Sequence, residues 1–123
     1  MIGYFTLGTN NVERAAAFYD ALLGEMHAER AYGTDRLVAW RFGKVDGPLL
    51  VLNTPFDDNV ATAGNGSMVA LSVKDPAMVD RLHALALELG AADEGAPGPR
   101  GKGFYGAYFR DLDGNKLNLH CYV

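Results

Sequence analysis

A chain of 123 residues, 49% hydrophobic and 21% charged, fits one ordinary globular domain. Its 11 basic and 15 acidic side chains leave a net charge of −4, which gives no electrostatic ground for a nucleic-acid or anionic-membrane partner. Cys121 is the only cysteine, so an intrachain disulfide and a paired-cysteine metal site are excluded. No basic-then-apolar opening and no apolar run of about 18 residues is present, so the expected setting is the cytoplasm.

Ile2 to Gly8, rich in β-branched and aromatic residues, predicts a first strand. Asn10-Asn11 supplies a helix N-cap, and Glu13 stands three residues after Asn10, as in a capping box. Val12, Ala15, Ala16, Tyr19, Leu22 and Leu23 recur at helical spacing, and Gly24 closes the helix. Extended segments follow at Glu25–Ala31, Arg36–Phe42 and Leu49–Asn53, with Tyr32-Gly33-Thr34-Asp35 and Lys44-Val45-Asp46-Gly47-Pro48 as the turns between them.

The same order then returns. Met68 to Val73 reads as a strand, and Asp75-Pro76 starts a helix with an N-cap aspartate and a first-turn proline. Met78, Val79, Leu82, Leu85, Ala86 and Leu89 form its apolar stripe, up to Gly90. A short segment near Ala91–Glu94 precedes a Gly/Pro loop from Gly95 to Gly103. Phe104–Arg110 and Lys116–Tyr122 are the last strands, joined by the Asp111-Leu112-Asp113-Gly114 turn. Asn65-Gly66-Ser67 reads as a turn.

Thr6 through Asn11 lies over Ala70 through Asp75, an offset of 64 (70 minus 6). Phe42 through Leu52 lies over Phe109 through Leu119, an offset of 67 (109 minus 42), so the second copy holds extra residues within or after its helix. Two copies are too few for a solenoid, and a pseudo-twofold pair is the expected outcome. The predicted architecture is α+β: one domain over 1–123, with βαβββ modules at 1–53 and 66–123 and a linker at 54–65.

Two stretches, Thr6-Leu7-Gly8 with Val12 through Gly24 and Tyr108 through Leu117, resemble the glyoxalase/bleomycin-resistance/dioxygenase superfamily, the vicinal oxygen chelate fold. The first matches that family's strand and its helix ending in a Phe-Tyr pair and Leu-Gly. The second matches its aromatic strand, Asp-Pro-Asp-Gly-Asn turn and closing strand, with Leu112 in place of the proline. The resemblance implies curved mixed sheets enclosing a ligand trough, helices packed outside, and a homodimer.

It also implies a divalent metal held by one residue on the first and one on the last strand of each module. Those positions fall at Tyr4, Val51, Met68 and Asn118. Valine cannot coordinate, a thioether is a poor match for Mg, Mn, Ni or Zn, and tyrosine would first have to lose a proton. The expectation is therefore no metal and no cofactor. The leading reading is a glyoxalase-like protein that binds a small organic molecule in the trough. The rivals are a metal-dependent lyase, isomerase or dioxygenase with unorthodox ligands, and an antibiotic-sequestering protein of the bleomycin-binding type. Whether any reaction is catalysed stays open.

The resemblance implies that Tyr4, Met68 and Asn118 face the trough, and strand alternation with the internal repeat then adds Arg41, Tyr108 and His120 as the remaining ligand contacts. Alternation also puts Thr6, Lys116 and Ala39 on that face, and sends Trp40, Phe42, Phe109, Leu117, Leu119 and Cys121 to the core. His120 is the trough's only histidine, read as a ligand contact rather than a general base because no partner carboxylate is identifiable. His27 and His83 read as surface residues. Cys121 reads as a small buried hydrophobe. Gly101 through Gly106 spells GxGxxG, yet enters a strand rather than a helix, so no dinucleotide site follows. Gly95–Gly103, carrying Arg100 and Lys102, reads as a flap that could meet an anion, or as a plain turn. Asp111 and Asp113 lack the length and acidity of a calcium loop.

Overall fold

The computed structural model describes residues 1–123, which divide into two units, Met1–Thr62 and Ala63–Val123. In the first, β1 (Tyr4–Gly8) leads into α1 (Val12–Gly24), and Asn11 makes the join. Its backbone is extended and its side-chain oxygen accepts the Arg14 N–H at 3.0 Å, satisfying one donor of the helix start. Arg14 thus holds the third helical position, and the Asn10–Glu13 capping box does not form. Asn10 instead grips the linker: its Oδ1 accepts the Ala61 N–H at 2.7 Å and its Nδ2 donates to the Ala61 carbonyl at 3.3 Å.

α1 ends beyond Leu23 in a Schellman turn. The Ala28 N–H reaches the Leu23 carbonyl and the His27 N–H that of Gly24, both at 3.0 Å, with His27 left-handed at φ 60. α2 (Pro76–Glu88) ends the same way, Ala91 bonding to Ala86 and Gly90 to Leu87, with Gly90 left-handed at φ 108. A histidine thus does in the first module what a glycine does in the second. Relieving its backbone with His27→Gly is expected to stabilise the protein by about 0.5–1 kcal/mol, read as a raised urea midpoint.

Three strands complete the first module: β2 (Glu29–Gly33), β3 (Leu37–Arg41) and β4 (Leu49–Asn53). The sheet order is β1-β4-β3-β2, with β1 parallel to β4 and the other pairs antiparallel. The second module repeats it with β5 (Val69–Ser72), β6 (Ala92–Pro99), β7 (Phe104–Arg110) and β8 (Lys116–Tyr122) in the order β5-β8-β7-β6. Both modules are βαβββ units with mixed sheets, as the internal repeat predicts. The added residues of the second copy fall after the helix, mostly in β6, eight residues long against five in β2. Register shifts at Asp93/Gly95 and Gly95/Gly98 absorb them as bulges. Gly95–Pro99 is therefore strand paired with β7, not the loop expected from its glycines and prolines.

Each helix covers one face of its own sheet. Under α1 lie Leu7, Val38, Trp40, Leu50 and Leu52, and under α2 lie Leu71, Ala107, Phe109, Leu117, Leu119 and Cys121, all buried. Phe42 departs from the expected core because β3 stops at Arg41; it is half-buried, and its N–H bonds to the Pro48 carbonyl at 3.1 Å. His83 is the larger correction. It is only 4% exposed, and its Nε2 lies 3.1 Å from Asp93 Oδ1 and 3.2 Å from the Tyr108 carbonyl. α2 buries Val79, Leu82, His83 and Ala86, a stripe rotated away from Met78 and Leu89, and His83 sits one turn after Val79 within it.

Candidate functional site

Cross-strand register decides which side chains share the face of each sheet that its helix leaves uncovered. In the second module, Ala70, Asn118 and Tyr108 form one row, and Ser72, His120 and Gly106 the next. Met68, one residue before β5, falls on this face by alternation and is exposed. Four of the six expected contacts, Met68, Tyr108, Asn118 and His120, thus share one sheet. In the first module, Tyr4 and Arg41 both pair with Leu49 and form a row there. Tyr4 is 65% exposed, and Arg41 donates to the Gly47 carbonyl at 3.2 Å. Arg41 also borders a cleft of about 280 Å3 with His27, Glu29, Gly43 and Val45.

Asn118 is the most constrained of these groups, at 1% exposed. Its Nδ2 donates to the carbonyls of Ala107 at 3.2 Å and Leu119 at 3.4 Å. Carbonyl oxygens only accept, so the amide nitrogen has to face them and Oδ1 has to face the other way. Oδ1 meets His120 Nδ1 at 2.7 Å. That bond requires a proton on Nδ1, so a neutral His120 ring keeps its lone pair on Nε2.

Aromatic rings hold the imidazole in place. Phe104 stacks on it with centroids 5.0 Å apart at 15°, and Tyr122 meets it edge-on at 5.7 Å and 79°. Gly106 makes this stacking possible: a Cβ there would lie 2.8 Å from Phe104 Cε1 and 3.1 Å from Asn118 Nδ2. Sequence reasoning missed Phe104 and Gly106. The usable signal was alternation from His120 through its β7 partner, hidden because Gly106 reads only as the end of a rejected motif.

The donor set for a family-type metal does not fit. Val51 has no donor, Met68 offers a soft sulfur, and the Asn118 oxygen already accepts from His120. No group of three His, Cys, Asp or Glu side chains lies close enough to hold an ion. Asp111 is spent on its own turn, Oδ1 accepting the N–H groups of Asp113 and Asn115, both at 2.9 Å. Cys121 is buried on the helix side, and that burial, with Asp75 and Asp80 nearby, pushes its thiol above the ordinary range. Native protein is therefore expected to resist a thiol-specific disulfide reagent and to react only as fast as it unfolds; rapid labelling in buffer would contradict this.

The Glyoxalase/Bleomycin resistance protein/Dioxygenase superfamily model matches residues 1–119. A glyoxalase/bleomycin resistance protein from Albidiferax ferrireducens is 31% identical with a TM-score of 0.90, over 100% of this chain and 99% of that one. A glyoxalase/bleomycin resistance protein/dioxygenase family enzyme from Burkholderia phytofirmans has a TM-score of 0.80 at 17% identity, over 98% of each chain. A lactoylglutathione lyase from Agrobacterium tumefaciens has a TM-score of 0.73 at 21% identity, over 98% of this chain and 92% of that one. These last two share the fold. No curated protein matches the chain.

Proposed function

Because the chain belongs to the glyoxalase/bleomycin resistance protein/dioxygenase superfamily, we propose that it holds a small organic molecule, without a metal, on the uncovered face of its second sheet. The Asn118–His120 bond carries this reading. A buried amide that fixes the tautomer of a half-buried imidazole leaves a directed acceptor, Nε2, on a face lined by Phe104, Tyr108 and Tyr122. His120 and Tyr108 contact the ligand, Met68 packs against it, and Asn118 acts through His120 as a positioning residue. A catalytic step is not assigned, since no carboxylate is bonded to His120.

Metal analysis of protein purified without chelator, paired with a ligand screen by amide-resolved NMR, tests the reading. The expected result is metal far below one equivalent and ligand-induced shifts along β7 and β8 that His120→Ala removes. One equivalent of Ni, Zn, Mn or Fe would return the metal-dependent lyase, isomerase or dioxygenase as the better account. A Tyr4→Ala variant in the same screen reports whether the first module contributes.

The working form is a homodimer. β1 and β5 are edge strands, and Ile2, Tyr4, Met68 and Tyr122 are large exposed apolar side chains in or beside sheet strands, which a twofold partner would cover. Sedimentation at micromolar concentration is expected to give twice the 13.2 kDa chain mass; a lone monomer would contradict it.

A further inference from the structure

We infer that the molecule held on this face is an organic carboxylate with a flat apolar body and a hydrogen-bond donor at its far end; this rests on the function proposed above. Two cations converge on one ring. The Arg100 guanidinium carbon lies 5.6 Å from the Tyr108 ring centre and the Lys116 ammonium 5.5 Å from it. The ring quadrupole offsets part of their mutual repulsion. Neither cation is paired with a carboxylate. Arg100 spends its hydrogen bonds on the carbonyls of Ala96 at 2.6 Å and Pro99 at 3.5 Å, and Lys116 makes none. Arg110, on the same face by alternation, is by contrast neutralised by Glu94 at 3.2 Å.

In a chain of net charge −4, two unneutralised cations beside one aromatic ring make a local positive field that draws an anion. Their number suits a single charge. A phosphate dianion calls for more donors, and no helix N-terminus of this module is among the groups here.

The other end of the ligand is set by His120. Lys116, Asn118 and His120 are successive same-face residues of β8, so the backbone positions of Lys116 and His120 stand about 13 Å apart along the strand, and the Lys116 ammonium leans from its end toward the Tyr108 ring. A molecule of aromatic-ring length bridges that gap, carboxylate toward Lys116 and Arg100, with an O–H or N–H donating to Nε2. Phe104, Tyr122 and Met68 supply the apolar surroundings such a body needs.

The test titrates the full chain with para-hydroxybenzoate, its neutral amide para-hydroxybenzamide, and inorganic phosphate, followed by amide-resolved NMR at low salt. The acid is expected to shift β7 and β8 resonances at millimolar concentration, with the amide about tenfold weaker. Lys116→Gln with Arg100→Gln is expected to erase that difference, as is high salt. Equal binding of acid and amide would overturn the charge assignment while leaving a ligand-holding face intact. Phosphate displacing the acid at equal concentration would overturn the carboxylate class. Silence of β7 and β8 toward both aromatic probes would instead sink the proposed function itself.

Discussion

Replacing Asn118 with aspartate is expected to cost the fold about 2–5 kcal/mol, although the side chain barely changes shape. The amide nitrogen now donates to two carbonyl oxygens, those of Ala107 and Leu119. A carboxylate sets an oxygen against both. If it ionises, it is a buried charge with one partner, His120; if it stays protonated, it can donate to only one of its three neighbours. Asn118→Leu, which removes the donor without adding an acceptor, is expected to be milder, about 1–2 kcal/mol, mainly for the stranded Nδ1–H. Urea midpoints at unchanged m-value would rank the two. Nitrogen NMR of His120 adds a readout that simple destabilisation would not move. The wild type is expected to show the proton on Nδ1, and the leucine variant a mixture of tautomers. An aspartate variant as stable as the parent would mean that the amide points the other way, and the acceptor argument for Nε2 would fall with it.

The modules were legible in the sequence because two signals agreed in each: helical stripes bounded by Asn11 and Asp75, and Asp-Gly turns at Asp46-Gly47 and Asp113-Gly114. The strand faces followed from alternation, which holds for Trp40, Phe109, Leu117, Leu119 and Cys121. Where alternation or periodicity stops, so did the reading. Phe42 lies one residue past its strand. β6 is bulged, so its Gly/Pro content resembled a loop. His83 looked like a surface residue because polarity alone does not reveal that Asp93 and the Tyr108 carbonyl wait opposite it. The site was half legible. Tyr108, Asn118 and His120 could be placed on one face, but hydrogen-bond orientation is absent from a one-dimensional pattern. That Asn118 is buried and turns its oxygen to His120 depends on two main-chain carbonyls that no spacing rule predicts.

Trp40→Ala is expected to be the most destabilising single truncation in the first module, about 3–5 kcal/mol. The indole is 1% exposed, packs against Tyr19 at 5.8 Å between ring centres, and donates its N–H to Asp20 Oδ1 at 2.9 Å. Arg30 grips the same carboxylate through Nε at 2.9 Å and Nη2 at 2.6 Å. The guanidinium also lies over the indole at 5.8 Å, so one acid, one cation and one ring brace α1, β2 and β3 together. Trp40→Phe separates the contributions: it keeps most of the packing, loses the N–H bond and some volume, and is expected to cost about 1–2 kcal/mol.

The acid side gives an independent check on the same cluster. The Arg30 hydrogen bonds, opposed by partial burial and aided by the indole N–H, hold the Asp20 carboxyl below the ordinary range. A depressed folded-state value stabilises the protein above the unfolded carboxyl's titration at about 3.9, and that contribution is lost as pH falls through the folded value. Asp20 and Arg30 are each roughly half exposed, with side chains at 44% and 50%, so the ion pair itself is worth no more than about 1 kcal/mol. Asp20→Asn is therefore expected to lose less than Trp40→Ala at neutral pH, because its amide oxygen still accepts from the indole. It is also expected to flatten the fall in stability below pH about 4. If the acid limb of the Asn variant matches that of the parent, Asp20 titrates as a free surface acid. The clamp on Trp40 would then be geometry without energetic consequence.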